Sequence, residues 1–262
     1  MACATPLGFG LPTIRCVCGL GADIAETLGE AGYRVILADK ERAQGTSRAK
    51  ELADRGIDAS FMKVDVASAR SVERLFEKAL ADGQRIDYVI NNAGILGKPA
   101  PIQNLEEADL DRVLDINLKG PFLVCKQAVR AQKGMGGGSI LNIGSITAES
   151  GAAYFAPYAA AKSGLAALTR SMARNVGRFN IRVNCLQPGS LTDTDLNRNS
   201  GLLESPADRQ RAVTGLIQKL PTGRPGKACD IAYLALFLGS PLAQHIHGAI
   251  LTIDGGESLG FQ

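Results

Sequence analysis

Tyr158 and Lys162 stand four residues apart, separated by Ala159, Ala160 and Ala161. In a helix that spacing puts both side chains on one face, one turn apart. A phenol ordinarily loses its proton near pH ~10, too high for efficient acid–base work at neutral pH. A neighbouring ammonium stabilises phenolate and is expected to bring that value down by roughly 1–3 pH units. Taken alone the spacing arises easily by chance, and a surface tyrosine beside a solvated lysine would share it. The surroundings favour a site. Ala159, Ala160, Ala161, Ser163 and Gly164 are all small, so another surface can approach closely. Ser145 follows the apolar run Ser139–Ile143, at the carboxyl edge of an expected strand, where its hydroxyl would meet a substrate carbonyl.

A second set of residues points to a dinucleotide. Gly19-Leu20-Gly21 opens an expected helix, Ala22–Ala31, and Gly32 ends it. The next strand stops at Asp39, about 20 positions after the glycines. A carboxylate there can accept from both hydroxyls of a ribose and would repel a 2′-phosphate. NAD is therefore expected rather than NADP, with Lys40 a mild argument the other way. Asp65-Val66 ends the third expected strand, where a short acid can accept from an adenine amino group. Asn91-Asn92-Ala93-Gly94 ends the fourth, and its small residues let backbone approach a ligand closely; a plain strand-ending turn would use the same residue types.

These groups need a frame. Short runs rich in branched apolar residues recur at Tyr33–Ala38, Ile57–Val64, Ile86–Ile90, Ser139–Ile143, Ile181–Cys185 and Ala249–Ile253. Amphipathic stretches separate most of them. Residues 69–82 space Val72, Leu75, Phe76, Ala79 and Leu80 for a helix, and residues 154–178 carry Ala161, Leu165, Leu168, Met172 and Val176 on one stripe. Strand–helix alternation implies an α/β fold, a parallel sheet with helices on both faces, built as one domain over residues 1–262. Residues 190–222 break the alternation. They are polar and rich in turn formers such as Asp193, Asp195, Asn197, Asn199, Gly201 and Pro206, the composition of a substrate loop.

Composition narrows the function classes. The chain has 262 residues, 45% hydrophobic and 21% charged, with a formal charge of +3. No Lys/Arg run argues for nucleic acid or an anionic membrane. No stretch approaches the roughly 20 apolar residues of a membrane span. The start of the chain lacks the cationic and continuous apolar regions of a signal peptide, so the cytoplasm is the expected compartment. Cys3, Cys16, Cys18, Cys125, Cys185 and Cys229 are irregularly spaced and expected as free thiols. No second Cys/His pair stands at zinc-site spacing, and His245 and His247 supply too few ligands, so no metal is expected.

The series Asn91-Asn92-Ala93-Gly94, Asn117, Ser145, Tyr158 with Lys162, and Pro188-Gly189 resembles the motif series of short-chain dehydrogenases/reductases. Gly223-Arg224-Pro225-Gly226 and Ile253-Asp254-Gly255-Gly256 are similar to that family's C-terminal signatures. The order and spacing agree over about residues 19–257, including thirteen positions from Ser145 to Tyr158. The resemblance implies a Rossmann-type doubly wound sheet of about seven strands and hydride exchange between nicotinamide and a secondary alcohol or ketone. It implies Tyr158 as general acid/base, with Lys162 lowering its pKa and bonding the nicotinamide ribose. Ser145 would orient the substrate oxygen, and Asn117 would help hold a water behind Lys162. Gly19, Leu20, Gly21, Asp39, Asp65, Val66, Asn92, Ala93, Gly94, Pro188 and Gly189 would hold the cofactor. A threonine usually follows the Pro-Gly pair; Thr192 and Thr194 both qualify, and Thr194 is favoured. A homotetramer is implied, built through the helices expected at about 108–133 and 154–178 and the last strand. Leu114, Ile116, Leu118, Phe122, Val124 and Val129 offer apolar surface for it.

The chain departs from the family at its first glycine motif. In one register Ile14 and Arg15 replace the usual Thr-Gly; in the other, Thr13–Cys18 is the strand and the loop is about four residues shorter. The expected activity is NAD(H)-dependent interconversion of a secondary alcohol and a ketone. The alternatives are a 3-oxoacyl-carrier-protein reductase and a catalytically silent subunit of the same fold.

Overall fold

Branched residues that alternate across one plane build the centre of the molecule. The structure is a computed structural model and describes residues 19–192 and 205–259. In β3 (Tyr88–Asn91), β4 (Gly138–Ile143) and β5 (Ile181–Pro188), Val89, Ile140 and Val183 join one core, while Tyr88, Ile90, Leu141, Ile143 and Leu186 join another. A strand sends successive side chains to opposite faces, so each face collects its own apolar layer. These strands and β6 (Ile250–Ile253) form a parallel sheet in the order β3-β4-β5-β6. β1 (Val35–Asp39) and β2 (Ala59–Lys63) form a parallel pair, and Ile36 and Ala38 of β1 belong to the same core as Val89 and Ile140.

Helices cover both faces. α1 (Leu20–Glu30) and α9 (Ala228–Gly239) bring Ile24, Leu28, Ile231, Ala235 and Leu238 onto Tyr88, Ile90 and Leu141. On the other face α3 (Ala69–Ala79), α5 (Gly120–Gly134) and α7 (Ala156–Val176) supply Leu75, Phe76, Val124, Ala128, Ala173 and Val176. α2 (Arg42–Asp54) seals β1 through Ala49 and Leu52, and the one-turn α6 (Thr147–Ser150) follows β4. This is the doubly wound, Rossmann-type α/β domain expected from the alternation. Six strands lie within the described residues; the expected first strand, with Ile14, Arg15, Cys16 and Cys18, lies outside them, as do Cys3 and Thr194.

Two elements differ from expectation. The helix expected at about 108–133 is divided into α4 (Glu107–Leu114), a π-helical turn (Asp115–Lys119) and α5. The Asn117 side chain donates to the Val113 carbonyl at 3.0 Å, the group a regular helix would offer to the backbone N–H of residue 117. Single π turns often mark functional positions. Within residues 190–222, α8 (Pro206–Lys219) is helical. Its turn-forming neighbours masked a run of good helix formers, and Pro206 suits a first helical position.

Candidate active site

A cleft of about 720 Å³ opens at the carboxyl ends of β1, β3, β4 and β5. Ligands of open α/β sheets bind at this edge. Of the residues singled out from the sequence, Gly19, Leu20, Asp39, Asp65, Val66, Asn92, Ala93, Gly94, Ser145, Tyr158, Lys162, Pro188 and Gly189 line it. Gly21 does not: it is buried within α1, because each helical step turns about 100° and carries position 21 away from the opening. Asn117 is fully buried just behind the wall.

At one end α7 delivers the expected pair. Pro157 stands in the first turn of α7, compatible with a helix start, and Tyr158 and Lys162 follow on its buried face. Tyr158 packs with Val113, Phe155 and Ala161. The Lys162 ammonium donates to the Ile143 carbonyl at 2.7 Å and lies 5.5 Å from the centre of the Tyr158 ring. Ser145 reaches the Tyr158 hydroxyl by a hydrogen bond. Thr147 holds Ser145 in place, its N–H and its hydroxyl donating to Ser145 Oγ at 3.2 and 3.0 Å.

The phenol behaves differently from expectation. Burial pushes Tyr158 up to about 12, and the Ser145 hydrogen bond draws it back only in part. Removing a phenolate from water costs more here than that bond returns. Tyr158 therefore rests as a proton donor at neutral pH.

Behind the pair, polar struts lock helix to sheet. Asn117 Oδ1 accepts from the Ile95 N–H at 3.0 Å, and its Nδ2 donates to the Ile95 carbonyl at 2.8 Å as well as to Val113. A methyl group at Gly94 would come within 2.7 Å of Asn117 Oδ1 and 3.6 Å of Lys162 Nζ, so only glycine lets these groups converge. Asn91 donates to Asn142 Oδ1 at 2.8 Å, and Asn142 donates to the Thr169 hydroxyl at the same distance. That buried chain ties β3 and β4 to α7. Sequence reasoning passed over Asn142, Thr169 and Thr147; an amide inside the apolar run Ser139–Ile143 was the available signal for Asn142.

The other end of the cleft holds a strand-tip carboxylate and a helix start. Asp39 stands at the tip of β1 and its Oδ1 accepts from the Glu41 N–H at 3.1 Å, which aims the carboxylate. Gly19 precedes α1 with φ +60°, and an α-helix leaves its first-turn N–H groups without intrahelical acceptors.

A family model described as enoyl-(acyl carrier protein) reductase matches residues 17–258. The chain is 38% identical over 239 residues to cis-4-hydroxycyclohexanecarboxylate dehydrogenase of Sinomonas cyclohexanicum, covering 91% of this chain and 92% of that one. A gluconate 5-dehydrogenase from Burkholderia cenocepacia J2315, solved with NADP and tartrate, superposes with a TM-score of 0.89 at 30% identity, over 97% of each chain. A 3-ketoacyl-(acyl-carrier-protein) reductase from Brucella melitensis, complexed with NADH, gives 0.85 at 28% identity over 95% of this chain and 98% of that one.

The chain belongs to the short-chain dehydrogenase/reductase family.

Members of this family use a nicotinamide cofactor, and the described residues of this dehydrogenase/reductase fit one. The Gly94 gap, the aimed Asp39 and the helix start at Gly19 line a single cleft with Tyr158. No helix among the described residues is long and apolar enough to cross a membrane.

Buried thiols beside the site give a pH prediction. Burial pushes Cys125 up to about 12 against weaker hydrogen bonds from Asn91 and Asn142, and Cys185 to about 11 against the charge of Lys162 and weaker hydrogen bonds. The folded values lie above the ordinary value of 9.0, so the fold favours the protonated forms. Their stabilisation is complete below pH ~9 and is lost as pH rises through the folded values. At pH ~11, Cys125 alone costs on the order of 2–3 kcal/mol. Thermal melts at pH 8 and 11 should show a smaller alkaline loss of Tm for Cys125→Ala than for the parent; equal losses would contradict this.

Proposed function

We propose that this chain is an NAD(H)-dependent oxidoreductase that interconverts a secondary alcohol and a ketone, with Tyr158 as general acid/base. The observation that carries the proposal is the meeting of the Tyr158 phenol, the Ser145 hydroxyl and the Lys162 ammonium at one end of a cleft that has Asp39 at the other.

In ketone reduction Ser145 donates a hydrogen bond to the carbonyl oxygen and polarises it. Tyr158 gives its proton to that oxygen as negative charge develops there. Lys162 stabilises the phenolate left behind, and Asn117 ties the segment after Gly94 to α4 through Ile95 and Val113. The nicotinamide, when bound, supplies the hydride to the carbonyl carbon; the protein supplies position and electrostatics. Oxidation runs the same transfers in reverse, starting from phenolate. Gly19, Leu20, Asp39, Asp65, Val66, Asn92, Ala93, Gly94, Pro188 and Gly189 would hold the cofactor, with Asp39 accepting from the ribose hydroxyls. Gly21 would serve by letting α1 start close to the sheet. Thr194 is proposed near the nicotinamide, within the substrate segment 190–222.

The Sinomonas relative supports a compact secondary alcohol as substrate. A second reading, 3-oxoacyl-carrier-protein reductase, draws on the Brucella structure. The half-exposed Phe122 on α5 supports the homotetramer, and the cytoplasm is the proposed location.

The experiment is steady-state kinetics with NAD(H) and NADP(H), measured separately, on a panel of cyclic alcohols, polyols and a 3-oxoacyl thioester, with the solution mass of the same preparation. Higher kcat/KM with NAD(H) and a four-chain mass are expected. Asp39→Ala should shift the NAD-over-NADP preference by roughly 10–100-fold, the worth of a charged hydrogen-bond acceptor. Faster turnover with NADP(H) by the parent would refute the role given to Asp39, and preference for the thioester with NADPH would move the assignment to the second reading.

A further inference from the structure

One acid of the C-terminal turn has no part in the proton transfer described above. Glu257 follows Asp254-Gly255-Gly256, and the structure brings its carboxylate to the cleft wall. Gly255 and Gly256 take φ +64° and +88°, which lets the chain reverse after β6. Asp254 fixes that turn, its two oxygens accepting from the N–H groups of Gly256 and Ser258 at 2.9 and 2.7 Å. Glu257 then accepts twice from one residue: from the Ser190 N–H at 2.7 Å and from the Ser190 hydroxyl at 2.7 Å. Charge-assisted bonds of this kind are the strong ones.

Ser190 sits where the substrate segment begins and beside the reacting end. The Ile146 N–H donates to the Pro188 carbonyl at 3.1 Å, so Pro188-Gly189-Ser190 runs directly past Ser145. Gly189 has no room for a side chain, because a methyl there would come within 2.6 Å of Asp254 and 2.7 Å of Glu257. Among the described residues no lysine or arginine pairs with Glu257. The other cleft carboxylates lie elsewhere: Asp39, Glu41 and Asp65 around the ends of β1 and β2, and Asp109 against Lys98.

We propose that Glu257 is a positioning residue that pins the start of the substrate segment through Ser190, and whose negative charge makes the reacting end of the cleft favour an oxidised, cationic nicotinamide over the neutral reduced form. The inference rests on the nicotinamide reading given above. Hydride transfer to or from a carbon held at Tyr158 requires the redox ring at this end. A carboxylate there attracts the ring in its cationic form and is indifferent to it when neutral.

The test is binding, without turnover. The full chain is titrated by calorimetry with NAD⁺ and with NADH, and with the phosphorylated pair if that binds tighter. Glu257→Gln keeps the shape and a hydrogen-bonding partner for Ser190 but removes the charge. It should raise the ratio of Kd for the oxidised form to Kd for the reduced form roughly tenfold. Glu257→Asp keeps the charge, shortens the reach, and should hold that ratio within about twofold while weakening both forms. Glu257→Ala should raise the ratio like glutamine and also lower Tm. A parent that binds both forms, with no change of ratio in Glu257→Gln or Glu257→Ala, would overturn this inference and leave the oxidoreductase reading standing. A parent that binds neither form would overturn both.

Discussion

Tyr158→Phe should lower kcat/KM in both directions by a factor of ~10²–10⁴, the usual worth of a positioned general acid/base. The substitution isolates chemistry from structure. The ring packs against Val113, Phe155 and Ala161, and phenylalanine fills the same space. Ser145 keeps both of its bonds from Thr147, so the loop that carries it stays in place. The lost hydroxyl is held above the ordinary phenol range by burial, and its removal deletes a group that resists ionisation. Stability near neutral pH should therefore change by no more than ~1 kcal/mol. Nicotinamide binding should hold within about twofold, because hydride transfer and not binding loses its proton partner. Single-turnover rates and separate titrations of the nicotinamide read the two quantities. Turnover within threefold of the parent would remove Tyr158 from the mechanism and, with it, the proposed reaction.

Asn117→Ala should cost stability as well as rate. The amide satisfies the N–H and carbonyl of Ile95 and the carbonyl of Val113, and it is fully buried. Truncation leaves these groups short of partners at about 1–3 kcal/mol each and opens a cavity behind Lys162. A total of roughly 3–5 kcal/mol is expected, a fall in Tm on the order of 10 °C for a chain of this size. Asn117→Asp should do no better. A carboxylate can still accept from Ile95 but cannot donate, and it would face the Ile95 and Val113 carbonyls with a second oxygen. Because Asn117 and Lys162 converge on the space that Gly94 leaves open, kcat should fall at least tenfold in whatever folded protein remains. Denaturant melts of the two variants decide the matter; a loss under 1 kcal/mol in either would show that the π turn and its struts carry no weight.

The Tyr158–Lys162 spacing, Ser145 at a strand edge and Asp39 at a strand tip were all legible because each depends on local periodicity. One face of a helix or one end of a strand is set by residues three, four or two apart, and a single chain displays that directly. The parallel sheet followed for the same reason: Val89, Ile140 and Val183 alternate with Ile90, Leu141 and Leu186, and both sets are apolar because helices cover both faces. The helix Pro206–Lys219 is not legible in the sequence because its polar, turn-rich flanks give residues 190–222 the composition of a loop.

What sequence alone determined here is the chemistry on offer: a tyrosine with a cation one turn away, a hydroxyl at a sheet edge and a carboxylate at a strand tip. The tertiary structure decided how those groups behave. Burial among Val113, Phe155 and Ala161 pushes the phenol up to about 12, where spacing to Lys162 alone had pointed downward. Contacts between distant segments placed Asn142 under Thr169, Asn117 under Ile95 and Glu257 on Ser190, 67 positions away. Such pairs have no period to read. Their partners are chosen by the packing of helices on a sheet, and only the folded chain brings them within hydrogen-bonding distance.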